Sequence, residues 1–198
     1  DYAIVGGAAA YSSERHHFVR GFTPWFKDMK QNPEFYHAFA TKMLQIGMDT
    51  NEIMLNAIGD YIDRVHAGPG DMGFQQGPMI SLKHFREFCV PYQEKAIAQI
   101  KKFTKARIYA HMCGSIHLYL EDLAAMGIDM VGQQINPNTY HMEPERLHRE
   151  FGDAITFWGG IDSQIVLVSY PKDMIRDWVQ RVIYALAPGH VVASNHSI

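Results

Sequence analysis

Cysteine is scarce in this chain: Cys89 and Cys113 are the only two among 198 residues. So few thiols make no disulfide scaffold, and reduced cysteines fit a cytoplasmic enzyme. Long apolar runs are missing as well, since nothing approaches the roughly 18 residues a membrane helix requires, and no membrane partner is expected. The opening DYAIVGGAAAYSSERHH lacks the basic-then-apolar layout of a secretory leader. Positive charge is not in excess: 18 Lys and Arg against 21 Asp and Glu give a net charge of −3. A broad basic field is therefore absent, which argues against a nucleic-acid partner. Nor does a glycine-rich dinucleotide fingerprint follow any strand, so a Rossmann domain loses its main support. Apolar residues, by contrast, are plentiful. At 47% of the chain they suffice for one well-buried core, read as a single domain over residues 1–198.

The first third reads as helices. Pro33-Glu34-Phe35 opens a run to Met48 with Phe35, Phe39, Met43 and Ile46 at near-helical spacing. A second run, from Thr50 to about Ile62, carries Ile53, Met54, Ala57 and Ile58 on one side. After the Gly68-Pro69-Gly70 break the pattern alternates. A long helix, Leu82 to Phe103, precedes a strand at Arg107–Ala110. Helix Ile116–Met126, strand Ile128–Gly132, helix Glu143–Phe151 and strand Ile155–Trp158 follow, then helix Lys172–Leu186 and strand His190–Ala193. With a candidate strand near Tyr61–Val65, this makes about five βα units and a parallel sheet.

Polar groups stand at the strand ends. They are His111 and Cys113; Gln133, Gln134 and Asn136; Gly160 and Asp162; and Asn195 and His196. Asp71 and Gln75 follow the earliest candidate strand. Reactive groups drawn from the C-terminal ends of several strands are the pattern of a (β/α)8 TIM barrel. A closed barrel takes eight strands, so this chain reads as a truncated C-terminal portion of one.

The sharpest motif is His111-Met112-Cys113-Gly114-Ser115. Residues two apart on an extended segment point the same way, so an imidazole and a thiolate can aim together at the barrel mouth. With His196 as a third ligand and an open fourth position, the set describes a catalytic zinc. The alternative is a hydrogen-bonded polar pair. Asp71-Met72-Gly73-Phe74-Gln75-Gln76-Gly77-Pro78 offers an acid and two amides to a substrate, or caps the helix that starts near Ser81, where Ser81 itself is also placed as a cap. Phe157-Trp158-Gly159-Gly160-Ile161-Asp162 ends a strand with two glycines that admit a ligand close to the backbone, while Asp162 is also placed as an N-cap. Cys89, between aromatic residues on a helix, reads as a buried, inert thiol. The nine remaining histidines show no ligand spacing and read as surface or core residues, and Phe18, Phe22, Trp25 and Phe26 read as packing.

Taken in order, these segments resemble the uroporphyrinogen decarboxylase superfamily. The resemblance is carried by Phe18–Phe22, Trp25–Asp28, Gly59–Ile62, Asp71–Gln75, Gly77–Ser81, Phe88 with Pro91-Tyr92, His111–Ser115, Gly127–Asp129, Phe157–Asp162 with Gln164, and Asn195–Ile198. It implies a (β/α)8 barrel and two candidate chemistries: decarboxylation of a porphyrinogen without metal, or methyl transfer between corrinoid proteins and thiols or other acceptors. The second uses zinc held by His-x-Cys and a later cysteine. His111 and Cys113 match that pair, and His196 stands where the later cysteine is expected. The site that follows has His111, Cys113 and His196 on zinc, Asp71 and Asp162 as catalytic acids, and Gln75, Asn136, Trp158 and Asn195 on a small-molecule substrate. A methylcorrinoid carried by a partner protein would be donor or acceptor. Uroporphyrinogen decarboxylation and a non-catalytic barrel paralogue are the alternatives.

Overall fold

The computed structural model describes residues 2–8, 11–132 and 139–196. Strand β1 (Val5–Ala8) leads into helices α1 (Arg15–Arg20), α2 (Phe22–Gln31) and α3 (Pro33–Ile58). Strand β2 (Arg64–His66) follows, then a two-stranded ribbon, β3 (Gly73–Phe74) and β4 (Gly77–Pro78). Helices α4 (Leu82–Phe88) and α5 (Val90–Phe103) cross to β5 (Arg107–His111). A 3-10 turn (His117–Tyr119) and α6 (Leu120–Met126) lead to β6 (Met130–Gly132), and α7 (Pro144–Phe151) leads to β7 (Thr156–Ile161). Helices α8 (Val166–Ser169) and α9 (Lys172–Leu186) precede β8 (His190–Ser194).

The main sheet has six strands in the order β1-β2-β5-β6-β7-β8, and every adjacent pair is parallel. Neighbours follow one another in sequence and helices make every crossover, so this is an α/β sheet of the (β/α)-barrel type. Parallel strands buried on their helix-facing side need continuous apolar residues there. Ile108, Ala110, Val131 and Phe157 meet that need and join one core with Ile97, Ile100, Leu120 and Leu123 of the helices. Trp178 adds a directional link, its indole N–H donating to the Gly160 carbonyl at 2.8 Å and fixing α9 against β7. Among the described residues no helix is long and apolar enough to cross a membrane.

Several expected boundaries are corrected. Strand β1 falls in the stretch read as helical and raises the strand count of the sheet to six. Its sequence, Val-Gly-Gly-Ala, lacks the β-branched alternation that marks a strand. The strand expected near Tyr61–Val65 is Arg64–His66. The two expected helices around Met48 and Thr50 are one, Pro33–Ile58, because no proline or paired glycine interrupts them and Thr50 Oγ bonds back to the Ile46 carbonyl at 2.8 Å without breaking the turn. The expected Leu82–Phe103 helix divides at Cys89, where Pro91 withholds an N–H from the ladder. Strand β7 runs on to Ile161, three residues past the expected Trp158. Ser81 caps α4 as expected, its hydroxyl accepting from the His84 N–H at 3.2 Å.

Candidate functional site

Strand β5 delivers His111 and Cys113 to the C-terminal edge of the sheet. Met112 between them is fully buried, so the extended alternation turns both flanking side chains away from the core. Asp71 arrives from the loop after β2. What brings it there is a backbone contact between two glycines. A Cβ on Gly114, whose φ is +78°, would lie 2.3 Å from the Gly73 carbonyl carbon, and one on Gly73 would lie 2.6 Å from the Cys113 oxygen. Only glycine allows that approach. Two hydrogen bonds then join the loops: Ser115 N–H donates to the Phe74 carbonyl at 2.7 Å, and Cys113 N–H donates to Asp71 Oδ1 at 2.6 Å.

The result is a convergent donor set. His111 Nε2 lies 3.3 Å from Asp71 Oδ1 and 3.5 Å from Cys113 Sγ. All three ligand atoms fall within 4.8 Å of one another. Zinc bonds of about 2.0–2.3 Å directed tetrahedrally set ligand atoms roughly 3.3–3.7 Å apart; the His111 nitrogen stands at such separations from both partners, and one carboxylate, one imidazole and one thiol are donors that suit zinc. Among the described residues no other three His, Cys, Asp or Glu side chains converge this closely. The third member is Asp71. His196 is exposed and stands outside the set, though it lines a cavity together with Cys113.

The electrostatics of the set follow from these contacts. The hydrogen bond to Asp71 and then that to Cys113 push the His111 imidazole up to about 10, against the opposing effect of burial. Burial works to raise Asp71, but the bonds from His111 and Cys113 outweigh it and hold the carboxyl below its ordinary value. His66 is lowered by burial and then by the neighbouring His111; its Nε2 accepts the His111 backbone N–H at 3.3 Å. Glu14 is raised by burial and then by the Asp71 charge.

Two cavities flank the set. One, of about 270 Å³, is lined by Tyr11, Glu14, Arg15, Phe18, His66 and His111 among others. The second, of about 170 Å³, is lined by Gln75, Cys113, Thr139, Asp162, Asn195 and His196 among others. Gln75 spans the latter, its Nε2 donating to Gln164 Oε1 at 2.6 Å. Asp162 is fully buried, and its carboxylate accepts backbone N–H groups from Gln164, Ile165 and Val166, which is the work of a cap. Asn195 Oδ1 accepts from Gly160 N–H at 2.7 Å, tying β8 to β7. Trp158 stands in register with Gly132 and, through it, with His111, its ring centroid 3.8 Å from the Arg64 guanidinium carbon. Asn136 lies outside the described residues. No local spacing in the sequence marks His66, Glu14 or Arg64 as site residues. Loop proximity to Asp71 is a tertiary fact with no local spacing to reveal it.

The family model for uroporphyrinogen decarboxylase (URO-D) matches residues 10–198. A curated uroporphyrinogen decarboxylase from Aromatoleum aromaticum strain EbN1 is 31% identical over 126 residues, covering 62% of this chain and 33% of that protein. A solved methyltransferase from Methanosarcina mazei superposes with a TM-score of 0.70 at 16% identity, covering 98% of this chain and 53% of that one. Xylanase B from Clostridium stercorarium F9 gives 0.53 at 14% identity, over 84% and 59% of the two chains. The chain thus spans about a third of the curated relative and about half of the methyltransferase. Such low identities to the solved structures speak for the barrel fold, whereas the family match runs through both strand-end motifs to the last residue: this chain belongs to the uroporphyrinogen decarboxylase family.

Proposed function

We propose that the protein is a methyltransferase-like member of its family, moving a methyl group between a corrinoid carried by a partner protein and a small acceptor. The observation that supports this reading is the convergence of Asp71, His111 and Cys113, whose ligand atoms lie within 4.8 Å of one another. These three residues would hold the metal, with His196 at the rim of the adjoining cavity. Bound there, zinc would supply the Lewis acidity that keeps an acceptor thiol in its thiolate form near neutral pH. The chain's own residues prepare the place. Asp71 fixes the His111 ring and the Cys113 backbone at once, and the Gly73–Gly114 contact keeps the two loops from separating. Gln75 and Thr139 line the cavity beside the Cys113 sulfur and can orient a polar ligand. Asp162 and Asn195 shape that cavity by holding the backbone of its floor.

A second reading, decarboxylation of a porphyrinogen, is favoured by the curated relative. It requires cationic groups to receive several carboxylates and an acid to protonate a pyrrole carbon. The Cys113-side cavity offers amides, hydroxyls, a thiol, the His196 imidazole and one buried acid, and the His111-side cavity adds Arg15, fewer cationic groups than several carboxylates need.

Metal content of the full chain, purified without a tag, separates the two. About one zinc per chain, lost in Cys113→Ser, together with methyl transfer from methylcobalamin to a thiol, is the expected result. Zinc-free protein that ignores offered zinc and releases carbon dioxide from uroporphyrinogen III would instead establish the decarboxylase.

A further inference from the structure

Helices α1 and α2 meet at Gly21, and the four aromatic residues expected to pack there divide into two kinds. Trp25 is buried and Phe26 packs partly against the core. Phe18, by contrast, is 71% exposed and Phe22 44% exposed, with Val19 beside them at 66%. The exposed rings are connected. The His17 ring lies 4.4 Å from that of Phe18 and 5.2 Å from that of Phe22, centroid to centroid, and Phe22 reaches Phe26 at 4.9 Å. Single exposed apolar side chains are ordinary, but a connected row of them on a folded surface marks a contact face.

The charges around this row say what it meets. Residues 15–31 hold four basic residues and one acid, in a chain whose acids outnumber its bases. The acid, Asp28, is buried and bonded to Arg20 at 2.7 Å. Lys27 and Lys30 are exposed and take part in none of the ion pairs among the described residues. At about 100° per residue, Phe22, Phe26, Lys30, Thr23 and Lys27 share one arc of about 140°. The buried Trp25, Asp28 and Met29 lie opposite. The outward side of α2 is therefore apolar along one edge and cationic along the other, with no carboxylate on it. Lysine is depleted at protein–protein interfaces. Phenylalanine beside unpaired lysine is instead the composition of a helix that lies in the headgroup layer of a bilayer. There the rings enter the acyl boundary, and the lysine stems carry their ammonium groups out to lipid phosphates.

We propose that the α1–α2 corner docks the protein on an anionic bilayer surface, with Phe18, Val19 and Phe22 inserted and Lys27 and Lys30 on the headgroups. The sequence argues against a spanning segment, and none occurs among the described residues, but lying on a membrane requires no such segment. Phe18 also lines the His111-side cavity, so the docked face includes one wall of that cavity. The contact is independent of the metal chemistry proposed above.

Co-sedimentation of the full chain with phosphatidylcholine vesicles containing about one-third phosphatidylglycerol tests the contact. Binding is expected, about tenfold or more tighter than to vesicles of phosphatidylcholine alone. Raising the salt from about 0.1 M to about 0.5 M should weaken it, because the screening length shortens. Lys27→Gln with Lys30→Gln should lower the partition coefficient by about fivefold for each charge removed. Phe18→Ser with Phe22→Ser should lower it by about tenfold or more, through the lost apolar insertion. Both pairs replace exposed side chains and should keep the denaturant midpoint near that of the parent. Should the phenylalanine pair not fold, Phe18→Ser alone decides, since that ring is the more exposed. No binding to the anionic vesicles at low salt would overturn the proposal and leave the face to an acidic protein surface. Binding that survives loss of the phenylalanines would overturn it too, as non-specific attraction of charge. Equal binding to neutral and anionic vesicles would remove the role given to the lysines.

Discussion

Two corners at the C-terminal edge of the sheet carry the same kinds of side chain and use them in opposite ways. At the end of β7, Asp162 is sealed from solvent and gives its oxygens to three backbone N–H groups, while Asn195 gives its oxygen to Gly160. That corner is closed on itself. At the end of β5, Asp71 accepts one backbone N–H, and the His111 and Cys113 side chains meet each other and Asp71. The lesson concerns what a polar residue at a strand end is for. When its atoms are spent on backbone it holds a loop. When it converges with other polar side chains, it offers ligand atoms.

The comparison breaks most visibly if the closed corner is opened. Asp162→Ala removes the acceptor of three N–H groups, the Val166 one buried, and a loss of about 3 kcal/mol in unfolding free energy is expected, read from the denaturant midpoint. Zinc binding by the folded fraction should persist. A variant that kept its stability and lost zinc would reverse the assignment of the two corners.

His16 belongs to the closed part of the molecule as well. It is fully buried, with Nδ1 3.3 Å from the Tyr36 hydroxyl and Nε2 without a partner. Burial, and then the neighbouring His17, lower its pKa from 6.5 to about 4. The unfolded chain therefore takes up a proton near pH 6.5 that the folded chain refuses until about pH 4. Stability is full above the unfolded value, falls as pH drops through this window, and is lower by about 3 kcal/mol at its acid end. Carboxylates titrate in the same range, so the term is isolated by difference: His16→Gln should flatten this part of the stability profile. Parallel profiles for parent and variant would show that His16 is protonated inside the fold.

These contrasts also explain what the sequence disclosed. The barrel class, the β5 and β8 strands and the His111–Cys113 pair were legible because alternation and periodicity are local properties. Helix α9 was placed at its observed bounds, Lys172–Leu186, since Pro171 and a clear apolar stripe mark it. The position of Asp71 beside His111 and Cys113 was not legible, because its approach depends on the Gly73–Gly114 backbone contact across two loops. The pair of glycines was visible, but not their meeting. Strand β1 was missed for a related reason. It is held by parallel pairing with β2, a long-range contact, while its own residues favour no strand. The stacking of Arg64 on Tyr109 and Trp158 was not legible either, because only the fold brings those rings together.

Next in size is the open corner itself. Asp71→Asn keeps shape and the contact with Cys113 N–H but removes the charge that holds His111 protonated, so a loss of about 2 kcal/mol is expected at neutral pH. Zinc affinity should fall by roughly 100-fold or more, beyond what loss of an outer-shell partner costs. Competition against a chromogenic chelator measures it. Unchanged affinity would transfer the third ligand position to another residue, with His196→Ala the variant to examine.

The smallest effect belongs to Gln75, whose exposed bond to Gln164 crosses the cavity on the Cys113 side. An exposed amide pair exchanges readily with water, so Gln75→Ala should alter stability by no more than about 0.5 kcal/mol. Access should change instead. In metal-free protein Cys113 is partly exposed and Cys89 is buried, its thiol pushed up to about 12 by burial, so Cys89 is an internal control that alkylates slowly. Opening the amide bridge should speed modification of Cys113 by a bulky maleimide more than by iodoacetamide, with Cys89 unaffected in both. Equal acceleration by the two reagents would mean that Gln75 tunes the reactivity of the thiol, and no acceleration would mean that the route to Cys113 runs through the His111-side cavity. In that case the open corner would be entered from the side lined by Glu14 and His66, and the amide bridge would belong with Asp162 and Asn195 among the groups that only hold the backbone.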